Sequence, residues 1–317
     1  MWVHVVVAVL VGAAGPRVTS EPAELKTDSG TLFGTLDLPP GKGPFPVVLI
    51  HPGSGPTDRD GNQARLKNDS LKYLGRALAA RGIACLRVDK RGVAASAKAG
   101  AAEADLRFDT YVSDAVRWIG WLRADKRFGK VGVVGHSEGA LVGALAAPTA
   151  RVDAVVLLCA TGRTLDALLR EQLKKNLPDK LFAQSEPILN ALAAGKQVKD
   201  VPAELKALFR PSVQPYLISI LTRDPIAAVA AVKCPLLVVS GTTDIQVTEV
   251  DAKALSAARA GIKAVRIENM NHMLKEIEST NTFLQTARTY ANTATPLHPK
   301  LAGELAAFLA TALAAGR

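Results

Sequence analysis

The chain has 317 residues, 48% of them hydrophobic and 21% charged. That composition excludes a disordered or fibrous chain and suits a globular protein with a large core, either one α/β domain with an insertion or two domains. The 39 basic and 29 acidic residues leave a formal charge of +10, but the basic residues are scattered, without a dense run or interleaved aromatics, so no nucleic-acid partner is expected.

Residues 2–14 are apolar apart from His4. The run is too short to span a bilayer comfortably and has the length of a signal-peptide core. Gly12, Ala13 and Ala14 supply small residues for cleavage, although no Lys or Arg precedes the run. The reading is an export signal over residues 1–20, a secreted or periplasmic mature chain (cytoplasmic if the signal is absent), and no stable membrane span. The competing reading is an N-terminal strand, since Val5, Val6 and Val7 are β-prone.

Two short strand-like runs flank Asp28-Ser29-Gly30, a hairpin signal. Residues 46–50 form a continuous apolar run suited to a buried parallel strand. It runs into a loop rich in Gly, Pro and polar residues, 51–62. Residues 68–81 read as a helix closed by Gly82, 83–88 as a strand, and 109–127 as an amphipathic helix. The β-branched run 131–134 meets Gly135-His136-Ser137-Glu138-Gly139, and a helix rich in small residues follows. Residues 152–159 and 235–240 are further strands, 250–260 a helix, 264–267 a short strand, and 301–313 the closing helix.

Strands alternating with helices imply βαβ units and a mostly parallel sheet covered on both faces. Right-handed crossovers place the carboxyl ends of such strands on one edge. His51, Asp89, Ser137, Asp244 and His272 each follow a strand and would gather there. Residues 161–233 break the alternation with Leu-rich helical segments (165–173, 186–192, 203–208 and 213–221) separated by Pro178, Pro187, Pro202 and Pro211. They read as a helical cap inserted into a core of residues 21–160 and 234–317.

The G-x-S-x-G run in a strand–turn–helix context is what a nucleophile elbow requires. A neutral serine needs a base within reach, and histidine suits because its pKa lies near working pH. Of five histidines, His4 lies in the leader, His51 opens the loop after a strand, and His298 precedes the last helix. Strand alternation turns His136 away from Ser137. His272, in the loop after the last strand, is the candidate base. Asp244, at the end of the preceding strand, is the candidate orienter. Alternatively, Asp244 caps the next helix and His272 binds loop carbonyls.

A tetrahedral oxyanion needs preset donors. The Glu138 amide, at a helix start, is one candidate, and Ser54, which follows Gly53, is the other, with Gly53 itself as the alternative. Gly53 also lets a substrate approach the backbone. Arg59 either pairs with Asp60 to brace this loop or binds a substrate carboxylate. The Glu138 carboxylate either favours its helix N-terminus or meets a substrate amine. Cys85, Cys159 and Cys234 lie in apolar runs and read as small buried hydrophobes. No C-x-x-C or zinc-spaced cluster exists, and no metal or organic cofactor is expected.

The motifs Gly53-Ser54-Gly55-Pro56-Thr57-Asp58-Arg59-Asp60-Gly61-Asn62, Arg87-Val88-Asp89-Lys90-Arg91-Gly92, Gly135-His136-Ser137-Glu138-Gly139, Gly241-Thr242-Thr243-Asp244 and Asn271-His272-Met273-Leu274-Lys275 together resemble the α/β-hydrolase superfamily. The likeness runs from about residue 24 to 317 and leans toward bacterial serine-aminopeptidase-like and dienelactone-hydrolase-like carboxylesterases. It implies a serine esterase with Ser137, Asp244 and His272 as triad and a small-molecule acyl ester as substrate. An aminopeptidase, a thioesterase or acyltransferase on the same triad, and a non-catalytic binding protein on the same scaffold, are the alternatives. The sequence leaves the oligomeric state open.

Overall fold

A computed structural model describes residues 17–100 and 102–314. Of the expected leader, residues 1–16 lie outside the described residues, whereas Thr19 and Ser20 already pair with Leu38 and Asp37 in a strand. The eight strands of the sheet are β1 (Thr19–Thr27), β2 (Gly30–Leu38), β3 (Phe45–His51), β4 (Ala84–Val88), β5 (Phe128–His136), β6 (Ala154–Leu158), β7 (Leu236–Gly241) and β8 (Lys263–Ile267). Their order is β1-β2-β4-β3-β5-β6-β7-β8. β2 pairs antiparallel with β1 and β4; every pair from β4 to β8 is parallel. The expected α/β fold, a mostly parallel sheet covered on both faces, is what the chain forms.

The central strands are apolar without interruption because both of their faces are covered. Side chains alternate between two cores. Val47, Leu49, Val131, Val133, Val155 and Leu157 meet α2 (Phe108–Ala124) and α3 (Glu138–Ala150) through Trp118, Ile119, Leu122, Val142 and Ala146. Val48, Ile50, Val134 and Val156 face α1 (Ser70–Ala79) and the C-terminal helix α11 (Leu301–Ala312) through Leu71, Leu74, Leu78, Leu301, Leu305 and Leu309. Burying each such leucine is worth about 1.5–3 kcal/mol.

The segment between β6 and β7 carries α4 (Leu165–Asn176), α5 (Asp179–Ala193), α6 (Lys206–Phe209), α7 (Gln214–Ile220) and α8 (Pro225–Ala231). Pro187 does not separate two helices, as its sequence position suggested; it lies inside α5. Ser185, Ile188, Leu189 and Leu192 are buried on one stripe of that helix, and their packing outweighs the lost backbone bond, a cost of about 3 kcal/mol. The last helix, α8, packs on α3 and on α9 (Glu249–Ala257), in the layer that covers the sheet. Residues 282–290, given no element by sequence, form α10 (Thr282–Gln285) and a wide helical turn (Thr286–Tyr290).

The strand order positions the site. From β3 the chain moves outward to β4, then returns past β3 to β5 on its other side. Loops leaving β3 and β5 therefore diverge, and a crevice opens at the carboxyl ends of these strands. Register places His51, the end of β3, opposite Gly135, so the loop 52–62 begins beside the turn carrying Ser137. Among the described residues, no helix is long and apolar enough to cross a membrane.

Candidate active site

Ser137 joins β5 to α3 with φ 54° and ψ −121°. A residue with a side chain rarely adopts that conformation, and the surroundings hold it there. Its amide donates to the Leu158 carbonyl at 2.8 Å. A Cβ on Gly135 would run into the Gly139 carbonyl, and one on Gly139 into the His51 carbonyl. The two glycines thus let strand, turn and helix pass at backbone contact. Gly143 continues the close approach, since a Cβ there would lie 2.8 Å from Val133.

Asp244 and His272 are brought together by the ends of β7 and β8. The Thr242 amide donates to the Ile267 carbonyl at 3.0 Å, and the Thr243 amide to the Met270 carbonyl at 3.2 Å. Asn271 anchors the turn beyond, donating to Thr289 Oγ1 at 2.7 Å while its Oδ1 accepts from the Lys275 amide at 3.1 Å. His272 Nδ1 lies 2.8 Å from Asp244 Oδ2. The other carboxylate oxygen accepts the amides of Gln246 at 2.8 Å and Val247 at 3.0 Å. Burial pushes the Asp244 carboxyl up, but the imidazole and the two amides outweigh it and hold the group below the ordinary carboxylate range. Asp244 therefore meets His272, as the first of its two sequence readings expected, but it does not cap the next helix: its other oxygen holds the turn at Gln246 and Val247, and Thr248 caps α9. Ser137 and His272 line one cavity.

The loop after β3 passes directly over the serine, for a Cβ on Gly53 would stand 3.1 Å from Ser137 Cβ. Its far end is tied down from within: Asp58 Oδ1 accepts from the amides of Asp60 and Asn62, and Asn62 Oδ1 from those of Asn68 and Asp69. Arg59 belongs to this bracing. Its guanidinium donates to Asp89 at 2.6 Å, to the Gly34 carbonyl at 2.6 Å and to Thr35 Oγ1 at 3.1 Å. That arrangement departs from both sequence readings: Arg59 pairs with Asp89 rather than Asp60, and it does not reach the cavities beside Ser137. Asp60 instead pairs with Arg87, which also holds buried Asp37 at 2.7 Å.

Two cavities meet at Ser137. One, about 150 Å³, runs between α3 and the helices above and is lined by Leu141, Leu165, Leu168, Leu169, Ile220 and Val229, together with Ser54 and Glu138. The other, about 200 Å³, holds His272 and is more polar, with Thr57, Gln63, Asn68, Gln246 and Tyr290 on its walls.

Sequence reasoning missed two buried polar groups. His136 lines the cavity with Ser137, and its Nε2 lies 2.8 Å from the His272 carbonyl. Burial, reinforced by neighbouring His272, lowers its pKa to about 3, so the neutral ring donates that hydrogen bond. Strand alternation suggested the opposite direction, and only the fold of the 268–277 loop brings its acceptor near. Lys90 is the second group: fully buried, it donates to the Gly53 carbonyl at 2.6 Å and stands 3.5 Å from the Glu138 carboxylate. The run Asp89-Lys90-Arg91 was its one sequence signal. Cys159 stands beside Asp244; its thiol is pushed well up, first by burial and then by that carboxylate. Ligand atoms of His136, Cys159 and His272 approach within 4.8 Å of one another, but both histidines already make the contacts just described.

Comparison with known proteins agrees with this geometry. A model of the alpha/beta hydrolase family matches residues 47–274. Esterase EstD of Thermotoga maritima is 30% identical over 255 residues, which are 79% of this chain; the chain spans 60% of that relative's length. Among solved structures, Est1E from Butyrivibrio proteoclasticus superposes with a TM-score of 0.60 at 18% identity, covering 93% of this chain and 99% of that one. The alpha/beta hydrolase GrgF from Penicillium sp. sh18 gives a TM-score of 0.63 at 16% identity, over 94% and 100% of the two chains. With its strand order, its serine elbow and a family match across most of its length, the chain belongs to the alpha/beta hydrolase family.

Proposed function

We propose that the protein hydrolyses carboxylic esters through an acyl-enzyme on Ser137. The observation that carries the reading is the 2.8 Å hydrogen bond between His272 Nδ1 and Asp244, in a ring that shares a cavity with a backbone-strained serine. The similarity to an esterase of Thermotoga maritima supports the same class. Asp244 fixes the tautomer that leaves Nε2 free as a base. His272 takes the Ser137 proton as Oγ attacks the ester carbonyl. The amides of Glu138 and Ser54 receive the oxyanion. The tetrahedral intermediate collapses, His272 returns the proton to the leaving alkoxide, and the alcohol departs. Water, deprotonated by His272, then releases the acid and restores the serine.

The two cavities suggest which half of the ester lies where. The leaving oxygen must meet the general acid, so the alcohol belongs to the polar cavity that holds His272. The acyl group then enters the apolar one, with residues 161–233 as its cap. A cavity of about 150 Å³ has room for a benzene-sized group, so short to medium acyl chains fit. The Glu138 carboxylate lines the apolar cavity, and the Lys90 ammonium 3.5 Å away offsets its attraction for a substrate amine, which favours esters over aminoacyl amides.

Ser137→Ala should lower p-nitrophenyl ester turnover by about 10⁴-fold or more and abolish fluorophosphonate labelling, with the fold intact by circular dichroism. Retained turnover would refute the assignment. Export to the periplasm or medium belongs to the same proposal, and sequencing the mature N-terminus decides it: a start past the apolar run 2–14 and no later than the beginning of β1 supports export, and Met1 overturns it.

A further inference from the structure

Lys90 follows β4, which lies next to β3, while Glu138 begins α3 just beyond β5. The lysine therefore reaches across the end of β3 to the residues around Ser137. Its ammonium is buried, donates to the Gly53 carbonyl at 2.6 Å, stands 3.5 Å from Glu138 Oε1 and lies 5.0 Å above the Tyr111 ring. The neighbouring cations are held differently. Arg59 and Arg91 donate strongly to Asp89 and Asp114 at 2.6 Å, whereas Lys90 has one looser carboxylate and a single carbonyl. Burying an ammonium in this way is a poor device for stability, since an apolar side chain of similar size would serve as well.

Its two polar contacts fall on the Gly53–Ser54 peptide and on Glu138, which carry the two amides that receive the oxyanion in the proposed mechanism. The Gly53 carbonyl and the Ser54 amide belong to one planar trans peptide, so they point in opposite directions. A cation fixed on the carbonyl aims the amide the other way and polarises it as a donor. Glu138 supplies the second amide, from the first turn of α3, where amides have no intrahelical acceptor. Its own carboxylate, left alone, would repel an oxyanion forming beside that amide. Lys90 offsets this charge.

We propose that Lys90 is a positioning residue for the oxyanion hole, setting the Gly53–Ser54 peptide and neutralising Glu138 from behind. The inference rests on the esterase reading, and fluorophosphonate labelling of wild-type Ser137 tests that reading separately. Two variants test the inference itself, Lys90→Met and Lys90→Met/Glu138→Gln; the second removes the carboxylate that the first leaves unpaired. Each is measured for kcat, KM, Tm and inhibition by a trifluoromethyl ketone, which forms a tetrahedral adduct on the serine. Lys90→Met should lose about 10²-fold in kcat and a parallel factor in trifluoromethyl ketone affinity, with KM held within about threefold. The double variant should regain Tm yet stay at least about tenfold low in kcat. Wild-type kcat in the double variant, or a loss confined to KM, overturns the proposal. If wild-type Ser137 labels normally in either of those cases, only the role of Lys90 falls.

Discussion

The floor of the site and the helices above it are held by different forces. The floor is a set of strand ends tied by buried polar contacts: Asp244 with His272, His136 with the His272 carbonyl, Lys90 with Gly53, and Arg59 with Asp89. Each fixes a direction as well as a distance. The helices above, α4 to α7, pack mainly through Leu168, Leu189, Leu192, Phe209, Leu217 and Ile220. They reach the rest of the chain through Arg163 on Asp251, Arg210 on Glu103 and Arg223 on Asp109, and through Tyr216 against Phe108 and Tyr111. Apolar packing sets the size of a space and tolerates changes of shape. Directional polar contacts do not. In the proposed ester hydrolysis, chemistry therefore falls to the floor, and selection of the acyl group to the roof.

Acid should separate the two most strongly. His51 and His136 are both buried, and burial takes each from 6.5 to about 3; His51 is lowered further by Lys90 and His136 by His272. Folded, they bind protons less readily than unfolded, so their neutral forms are favoured fully above about pH 6.5 and stability is lost as pH falls from there toward 3. Each costs about 1.4 kcal/mol per pH unit. Between pH 7 and 5 the pair should lower stability by about 4 kcal/mol, read as a fall in Tm or in the urea midpoint. No histidine lies in residues 161–233, so His51→Asn or His136→Asn should flatten the slope, and a substitution within 161–233 should not. An unchanged slope in both histidine variants would break this half of the comparison.

Filling the roof should change selection without touching the chemistry. Leu168→Phe narrows the apolar cavity. Hexanoyl ester turnover should fall about 100-fold relative to acetyl ester turnover, with acetyl kcat preserved. A uniform loss across chain lengths would mean that this cavity does not receive the acyl group.

The smallest expected effect on catalysis concerns Arg59. Arg59→Met should reduce stability by about 3 kcal/mol, because it leaves the buried Asp89 carboxylate without its cation. Esters with and without a free carboxylate should keep their KM ratio. A selective rise in KM for carboxylate-bearing esters would show that Arg59 leaves Asp89 to meet substrate.

Much of the site was legible because its groups sit where periodic patterns end. Ser137, Asp244 and His272 each lie within five residues after a β-branched or apolar run, and a parallel sheet gathers such ends on one edge. The bracing was not legible. Arg59 stands next to Asp60 in sequence, but its partner is Asp89, across two strand ends, and Asp60 turns to Arg87. The helix α5 passed through a proline that read as a boundary, because the stripe of Ser185, Ile188, Leu189 and Leu192 finds a core to face. Residues 282–290 lack an amphipathic pattern and are held by polar contacts such as Gln285 donating to the Thr243 carbonyl at 2.7 Å, which no periodicity announces.

By itself the sequence determined the layered sheet, the strained turn at Ser137 and the residues able to serve it, because hydrophobic period and glycine placement are local properties. The tertiary structure decided which charges meet, which way His136 points, and that Lys90 stands behind both Gly53 and Glu138. Those are pairings between elements distant in the chain, and a buried ionic group takes its partner from whatever the fold brings within a few ångströms.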